Sequence, residues 1–541
     1  MSSPKVIAQE KDLTFSIQSI TSNATGYVGL FTWGPANEIV DITTNESELV
    51  NRFGEPSNQT SLYFHAAANY LLYSVPLKVV RAVGSASLNA IADDAQTAGQ
   101  TPILVNNEDE FDDLTDSSFT TQTPSFIGRY PGSLGNSIKV SAADSTDYQN
   151  WVYADEFEFT PTGGQFNLIV IDEDGSVTGT AGTVLEKYEL LTKTQGDKKT
   201  DGTTAYVVEA LKTQSNWVFC YDETQIIFTE TASLGVYETS LVGGVDDNDP
   251  LNIDFASGYD LFSNKETVNI VRLMTSGSDA VGAIKAIDIA ESRGDCVAFV
   301  APELADVYNN LDAVVDVKEF FNTTINKNTS YGFAVDNWKM VNDKYNDKNI
   351  WIPTDSDAAG LHSRVFVTAE PWFSPAGLNR GQLKNVIKLA WNPTEPQRDT
   401  LYKDGINSIV AFPGEGTVLW GDKTMYKAPS AFNRINVRTL FIVIKVAISR
   451  AARYQLFELN DGITRSLFRN ATDRYLDNVQ GRRGIIDKRV VCDETNNTAQ
   501  VIDSNEFVGD IYVKPARSIN IIRLSFVAVG TGVDFEEIEN A

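Results

Sequence analysis

With 541 residues, of which 42% are hydrophobic, 10% aromatic and 21% charged, the chain can build large cores and gives no compositional case for disorder. Its length predicts about three domains. Met1 to Asp12 lacks the apolar centre of a secretory signal. The most apolar run, Leu440 to Ile448, is broken by Lys445 and falls far short of the ~20 residues that cross a bilayer, so a soluble chain without membrane insertion is expected. Cys220, Cys296 and Cys492 are few and far apart, which argues against a disulfide framework and for assembly in a reducing cytosol.

The net charge of −28 is unevenly spread. Residues 1–339 hold 19 Lys+Arg against 48 Asp+Glu, residues 340–541 hold 25 against 24, and residues 423–489 hold 14 against 5. One reading is an acidic, solvated outer region on a near-neutral core. The other is a basic segment facing a specific acidic partner. Nucleic acid is not expected as that partner, because the acidic region would be repelled with it.

Residues 1–20 read as an extended arm carrying Val6 and Ile7, with a frayed terminus as the plain alternative. A compact unit starts at the apolar strand Gly26–Phe31 and turns at Trp33-Gly34-Pro35. Asn45 should cap a short helix through Leu49 and Phe53, stopped by Gly54. A helix over Leu62–Tyr73 and a strand over Leu77–Val83 complete a β-α-β progression. From Ser85 to Lys339 Thr, Asp and turn residues become frequent. Phe166–Ile171 reads as a strand running into a hairpin signal at Asp172–Gly175, and Val268–Leu273, Asp279–Ser292 and Cys296–Val300 restore strand-helix-strand order.

Past Trp338 the core resumes. Phe441–Phe457 is apolar nearly all round and should be a buried helix. Asn460-Asp461-Gly462 should cap another over Ile463–Gln480, with Ile463, Leu467, Ala471, Tyr475 and Val479 on one side and Arg465 and Arg469 on another. Ile519–Val529 reads as a final strand and residues 530–541 as a second arm, with Val533, Phe535 and Ile538 as its apolar contacts.

The expected fold class is α/β (α+β) and multidomain: a discontinuous core domain from both chain ends (21–90 and 340–529) with an inserted, more β-rich outer region (91–339). Residues 140–240 are open between a part of that insertion and a separate β-rich subdomain.

Catalytic chemistry lacks its parts. His65 and His362 are the only histidines and stand in no motif; there is no His-Glu-x-x-His, Cys-x-x-Cys or Gly-x-Ser-x-Gly. Gly416 to Thr424 has the glycine spacing of a phosphate loop, but Asp422 stands where lysine should follow Gly421, and Val418-Leu419-Trp420 reads as a strand. Asp246-Asp247-Asn248-Asp249 is rich in oxygen but lacks the glycine and distal glutamate of a calcium loop. No catalytic residue, metal ligand or cofactor is expected.

Val418-Leu-Trp420-Gly421-Asp-Lys-Thr424, Arg434-Ile-Asn436-Val-Arg438 and Phe457-Glu-Leu-Asn460-Asp461 resemble, in order, the hallmarks of the contractile phage tail sheath family. Asp510 to Asn520 with Lys514-Pro515, Gly532 to Ile538, Trp33-Gly34-Pro35, Arg52-Phe53-Gly54 and Tyr130 to Asn136 add to the resemblance. It covers residues 1–90 and about 380–541. It implies a structural protein of the virion tail, assembled in the host cytoplasm as sixfold rings stacked helically around a tail tube, with baseplate and tail terminator proteins as further partners. The core would lie inside, the insertion outside, and the arms would add strands to sheets of neighbouring copies; twenty extended residues reach about 65 Å. Arg465 and Arg469 are then expected to face the tube. A bacterial contractile injection system sheath is the alternative within the family; a hydrolase whose acidic insertion binds a cationic or glycan substrate is the alternative outside it.

Overall fold

The computed structural model describes residues 23–94, 99–146, 148–228, 236–520 and 523. They form two compact units, one running to Leu459 and one from Asn460 onward. The architecture is mixed α/β in several sheets, as expected. The arm residues Val6, Ile7, Val533, Phe535 and Ile538 lie outside the described residues, as does most of the expected strand after Asn520.

The first unit is organised by an eight-stranded sheet in the order Gly416–Trp420, Ile406–Phe412, Gly332–Val335, Val297–Val300, Arg272–Met274, Thr25–Gly29, Leu77–Arg81, Ile39–Ile42. The six central strands are parallel and the two edge strands antiparallel. Parallel strands are covered on both faces, and Thr25–Gly29 and Val297–Val300 are accordingly buried at every position. Local signals held well here. Asn45 accepts from the Ser47 and Glu48 amides ahead of the Glu46–Phe53 helix, and Gly54 ends it at φ 74°. Asp279 caps Ala280–Arg293 through the Gly282 amide.

The domain boundary differs from expectation. Residues 272–335 contribute three strands to the core sheet, so the insertion closes near residue 250, well before 339. Two of these strands are legible in the residues, within 268–273 and 296–300, but their place in the core sheet is not, since sheet membership is set by a non-local pairing that composition does not record. The insertion has its own antiparallel sheet, in the order Thr183–Leu191, Phe166–Asp172, Ile138–Asp144, Val236–Val242, Ile91–Ala92, Phe126–Gly128, Val218–Cys220. Residues 140–240 therefore share one sheet with residues 91–128. Phe166–Asp172 is buried throughout because its two faces serve different cores. Leu168 and Val170 pack with Phe126 and Leu241, while Ile169 and Ile171 pack with Tyr148 and Trp151. The Asp172–Gly175 signal does open a hairpin, but its loop runs to Gly182, and the buried Asp172 carboxylate gathers the amides of Gly175, Val177 and Thr178.

Under the core sheet lies an ion pair with both side chains fully buried: Lys339 Nζ donates to Asp357 Oδ1 at 2.8 Å, and also to Asn69 Oδ1 and the Lys384 carbonyl. Burial pulls the Lys339 pKa down. The pair is fixed by its surroundings, since removing either partner would strand a charge in the interior.

The apolar helix spans Ile435–Ala452 and stops before the expected Phe457. A 3-10 turn, Arg453–Gln455, follows, and Phe457 has φ 70° and full exposure.

The second unit pairs the Gly462–Gly481 helix with an antiparallel two-stranded sheet, Ile485–Val491 with Asp510–Pro515. The helix buries Arg465, Phe468, Ala471, Thr472, Tyr475, Leu476 and Val479, while Ile463 is 71% exposed and Leu467 49%. A strict spacing of four drifts around a 3.6-residue helix, so the expected stripe leaves the core at its start, and the burying face follows the alternation of three and four.

Candidate assembly surfaces and motif positions

The core sheet has a switch point. From Thr25–Gly29 the chain winds outward through Leu77–Arg81 on one side and through Arg272–Met274 and its successors on the other. The carboxyl ends of the two inner strands mark where a doubly wound sheet usually holds a ligand. Here side chains pack that crevice. Tyr27 Oη donates to the carbonyls of Tyr63 and Ser276, Tyr259 Oη to that of Met274, and Tyr63 stacks on Phe255 with centroids 5.9 Å apart. Asp355 is buried among them, accepting from the Thr275 amide and Ser276 Oγ. Burial raises its pKa to about 7.

Neither histidine is poised as a base. His362 Nδ1 accepts from Arg272 Nε at 2.7 Å, and its Nε2 meets Thr439 Oγ1 at 2.8 Å; burial, then the Arg272 charge, hold its pKa well down. His65 is buried with Nε2 3.1 Å from Asp343. In the oxygen-rich loop, Asp247 accepts from the Asn252 side chain and the Ala86 amide, and Asp246 from Ser133. These bonds tie down the chain as it leaves the insertion.

Two motif loops that are a hundred residues apart meet through Arg81, which sequence reasoning missed. Its fully buried guanidinium donates to the carbonyls of Phe31 (3.0 Å), Gly34 (2.7 Å) and Pro131 (2.8 Å). Desolvation lowers its pKa to about 10. Trp33 lies stacked on Trp217 and edge-on to Tyr130. Gly34 has φ 99°, and a Cβ there would lie 2.6 Å from the Arg52 carbonyl oxygen; Pro35 follows it, half-buried. The Trp-Gly-Pro turn and the Tyr130–Asn136 loop are thus one joint between core sheet and insertion. The available signal was an arginine two residues after Val79 and three after Lys78, at the end of the strand Leu77–Arg81.

The false phosphate loop is a strand and its exit. Gly416–Trp420 ends with Trp420 edge-on to Phe412. A Cβ on Gly421 would lie 2.6 Å from Asn407 Oδ1. Asp422 pairs with Arg434 at 2.9 Å, Lys423 Nζ caps the Tyr402 carbonyl, and Thr424 Oγ1 donates to the Phe432 carbonyl. Asn436 donates to the Trp372 carbonyl, and Arg438 spreads over the Tyr331 and Phe432 rings. These motif residues stitch the edge of the core sheet to the start of the Ile435–Ala452 helix.

They also break up the expected basic segment. Arg434, Arg438 and Lys488, the last paired with Asp473 and Asp477, are spent inside the fold. So is Arg465: it is 7% exposed and donates to Asn460 Oδ1 at 3.0 Å. That burial contradicts a tube-facing role for Arg465, and Arg469, one turn on, is half-buried. Charge counted along a chain does not tell which cations are neutralised at home.

In the second unit Asp461 caps its helix through the Thr464 amide at 2.8 Å, which holds its carboxyl below the ordinary range. Asn460 donates to the Glu506 carbonyl. Lys514 pairs across the strands with Asp487 at 3.0 Å, and Pro515 sits opposite Ile485 at the sheet's end. Ile486 and Tyr512 are exposed. Among the described residues this sheet has no third strand.

The chain matches two family models, the phage tail sheath protein central domain over residues 273–425 and the phage tail sheath C-terminal domain over residues 427–528. It is 32% identical to the tail sheath protein of Salmonella phage ViI over 99% of this chain and 97% of that one. To the tail sheath protein of Enterobacteria phage T4 it is 31% identical over 99% of both. Its fold is similar to the sheath of an extracellular contractile injection system in the contracted state, with a TM-score of 0.53 and 13% identity over 99% of both chains. The chain belongs to the phage tail sheath protein family.

Proposed function

We propose that this protein is the polymerising subunit of a contractile tail sheath, carried on the virion tail. Copies stack as sixfold rings around a tail tube, held between baseplate and terminator proteins. Repacking of the rings drives the tube through the host envelope during genome delivery. The terminal segments, with Val6 and Ile7 at one end and Val533, Phe535 and Ile538 at the other, add strands to sheets of adjoining copies.

The observation that carries this reading is the two-stranded sheet at Ile485–Val491 and Asp510–Pro515. The sheet packs on the Gly462–Gly481 helix but keeps unpaired edges, and a third strand brings both hydrogen bonds and cover for the exposed Ile486 and Tyr512. Each added bond contributes only about 0.5–1.5 kcal/mol, so a run of several makes a joint that outlasts a rotation between rings. The aromatic packing at the switch point supports a subunit without catalysis, powered by contact energy with no nucleotide or other cofactor. Electron microscopy of the concentrated purified protein tests the reading: tubular polymers are expected, and a protein that stays monomeric at every concentration and salt tried would refute it.

A further inference from the structure

Two surfaces of the first unit are unsatisfied in complementary ways. The first is a groove beside the Ile435–Ala452 helix, floored by Ile442, Val443, Val446 and Phe366. Lys265, Lys445, Arg450 and Arg453 line it, and among the described residues none of the four lies within 4 Å of a carboxylate. Lys445, Arg450 and Arg453 belong to the basic segment, and Lys265 comes from outside it.

The second is a knob at residues 303–319. Leu311 is fully exposed and Val315 60% exposed. Around them stand Glu303, Asp306, Asp312, Asp316 and Glu319, and no ion pair is formed by any of the five among the described residues. The single cation of the stretch, Lys318, is engaged by Asp404. Desolvation first, and then the neighbouring Glu303, Asp316 and Glu319 charges, raise Asp306 to about 6.

The topology puts the tip of the knob, Leu311 and Asp312, at the opposite end of the core from the groove, while Ala313–Glu319 runs back toward the amino ends of the strands, where Lys318 meets Asp404. Asn269–Val271 and Asp295, on the groove, precede the parallel strands Arg272–Met274 and Val297–Val300; residue 303 follows the second of them. One copy therefore cannot close its own knob into its own groove. Two copies stacked along the strand direction can, head to tail. Such a contact uses different patches on the two partners and leaves one of each free to continue, which is how rings and helical polymers grow.

We propose that the acidic, apolar knob at residues 303–319 of one copy docks into the basic, apolar groove along Ile435–Ala452 of the next, a core-to-core contact separate from the strand-adding arms. The inference rests on the sheath reading. Leu311 and Val315 supply the apolar centre, and the charges set register and exclude knob-to-knob or groove-to-groove pairing.

Charge exchange tests it. A groove variant (Lys445→Glu with Arg453→Glu) and a knob variant (Asp312→Lys with Glu319→Lys) change exposed side chains, and thermal melts verify that both fold. Each alone should pellet at least tenfold less polymer than the parent. Combined in one chain, they should restore it to within twofold, because every contact is paired again with reversed sign. Mixed with each other, the two single variants should pellet together as an alternating copolymer, since the acidic groove of one meets the basic knob of the other and the remaining knob and groove form the parent contact. Parent-like polymer yield from either variant, or a combined chain as defective as the singles, would overturn the contact; so would a mixture that sediments as two monomers. Mixed oligomers of the two variants beside a parent that forms no tubes in electron micrographs would keep the contact and sink the sheath reading instead.

Discussion

The eight-stranded and two-stranded sheets treat their edges in opposite ways. In the large sheet, Gly416–Trp420 is covered on its outer side by residues 377–383, through bonds such as Leu383 to Thr417 and Leu419 to Gly381. The other edge, Ile39–Ile42, is only four residues long and carries Asp41, paired with Lys78 across the sheet. Short, charged or covered edges resist strand addition. The small sheet also carries charge, with Lys514 paired to Asp487 across its strands, but those strands are longer, seven and six residues, are uncovered among the described residues and present Ile486 and Tyr512 to solvent. One sheet holds the first unit together; the other leaves an edge at which strands of adjoining copies are proposed to add.

That division predicts separable defects. Deleting residues 1–20 should abolish polymers in electron micrographs while leaving the monomer's melting temperature within a degree or two; a destabilised monomer would mean that the segment belongs to the subunit's own core. Lys339→Ala leaves Asp357 buried without its partner and should cost about 3–5 kcal/mol in denaturant unfolding, with the second unit's helix signal little affected.

Asp355 sets a pH dependence of defined sign. Its carboxyl goes from an unfolded pKa of about 3.9 to about 7 in the fold, so the folded state holds the proton more tightly. The first unit should lose stability from this group as pH rises through that window, by up to about 1.4 kcal/mol per pH unit. Asp355→Asn should flatten that slope, measured by denaturation at pH 5 and pH 7.5. Gly34→Ala, with φ 99° and the Arg52 oxygen in the way, should cost about 1–3 kcal/mol and loosen the joint between core and insertion, read as faster proteolysis near residues 130–136. Lys514→Ala removes an ion pair that is exposed on both sides and should leave the monomer's unfolding curve unchanged.

Much of this was legible in the residues, and what was missed shares a cause. Caps are local: Asn45 and Asp461 each announced a helix within three residues of its start. The Trp33-Gly34-Pro35 turn was legible too, and Gly34 holds φ 99° there. Partnership at a distance was not. Nothing near residues 272–335 says that those strands join Thr25–Gly29, and nothing near Arg81 says that two loops converge on it. Arg465 looked like one of a row of surface cations until Asn460 claimed it. The groove and the knob escaped for the same reason, since each is defined by which charges the fold leaves unpaired.

The most direct test of the division is electron cryomicroscopy of the polymer at a resolution that traces the backbone beside Ile485–Val491 and Asp510–Pro515. The account predicts that the strands completing this sheet come from other copies and include residues 1–20 or 530–541. Finding the sheet completed only by its own chain, with both termini folded onto their own subunit, would contradict it.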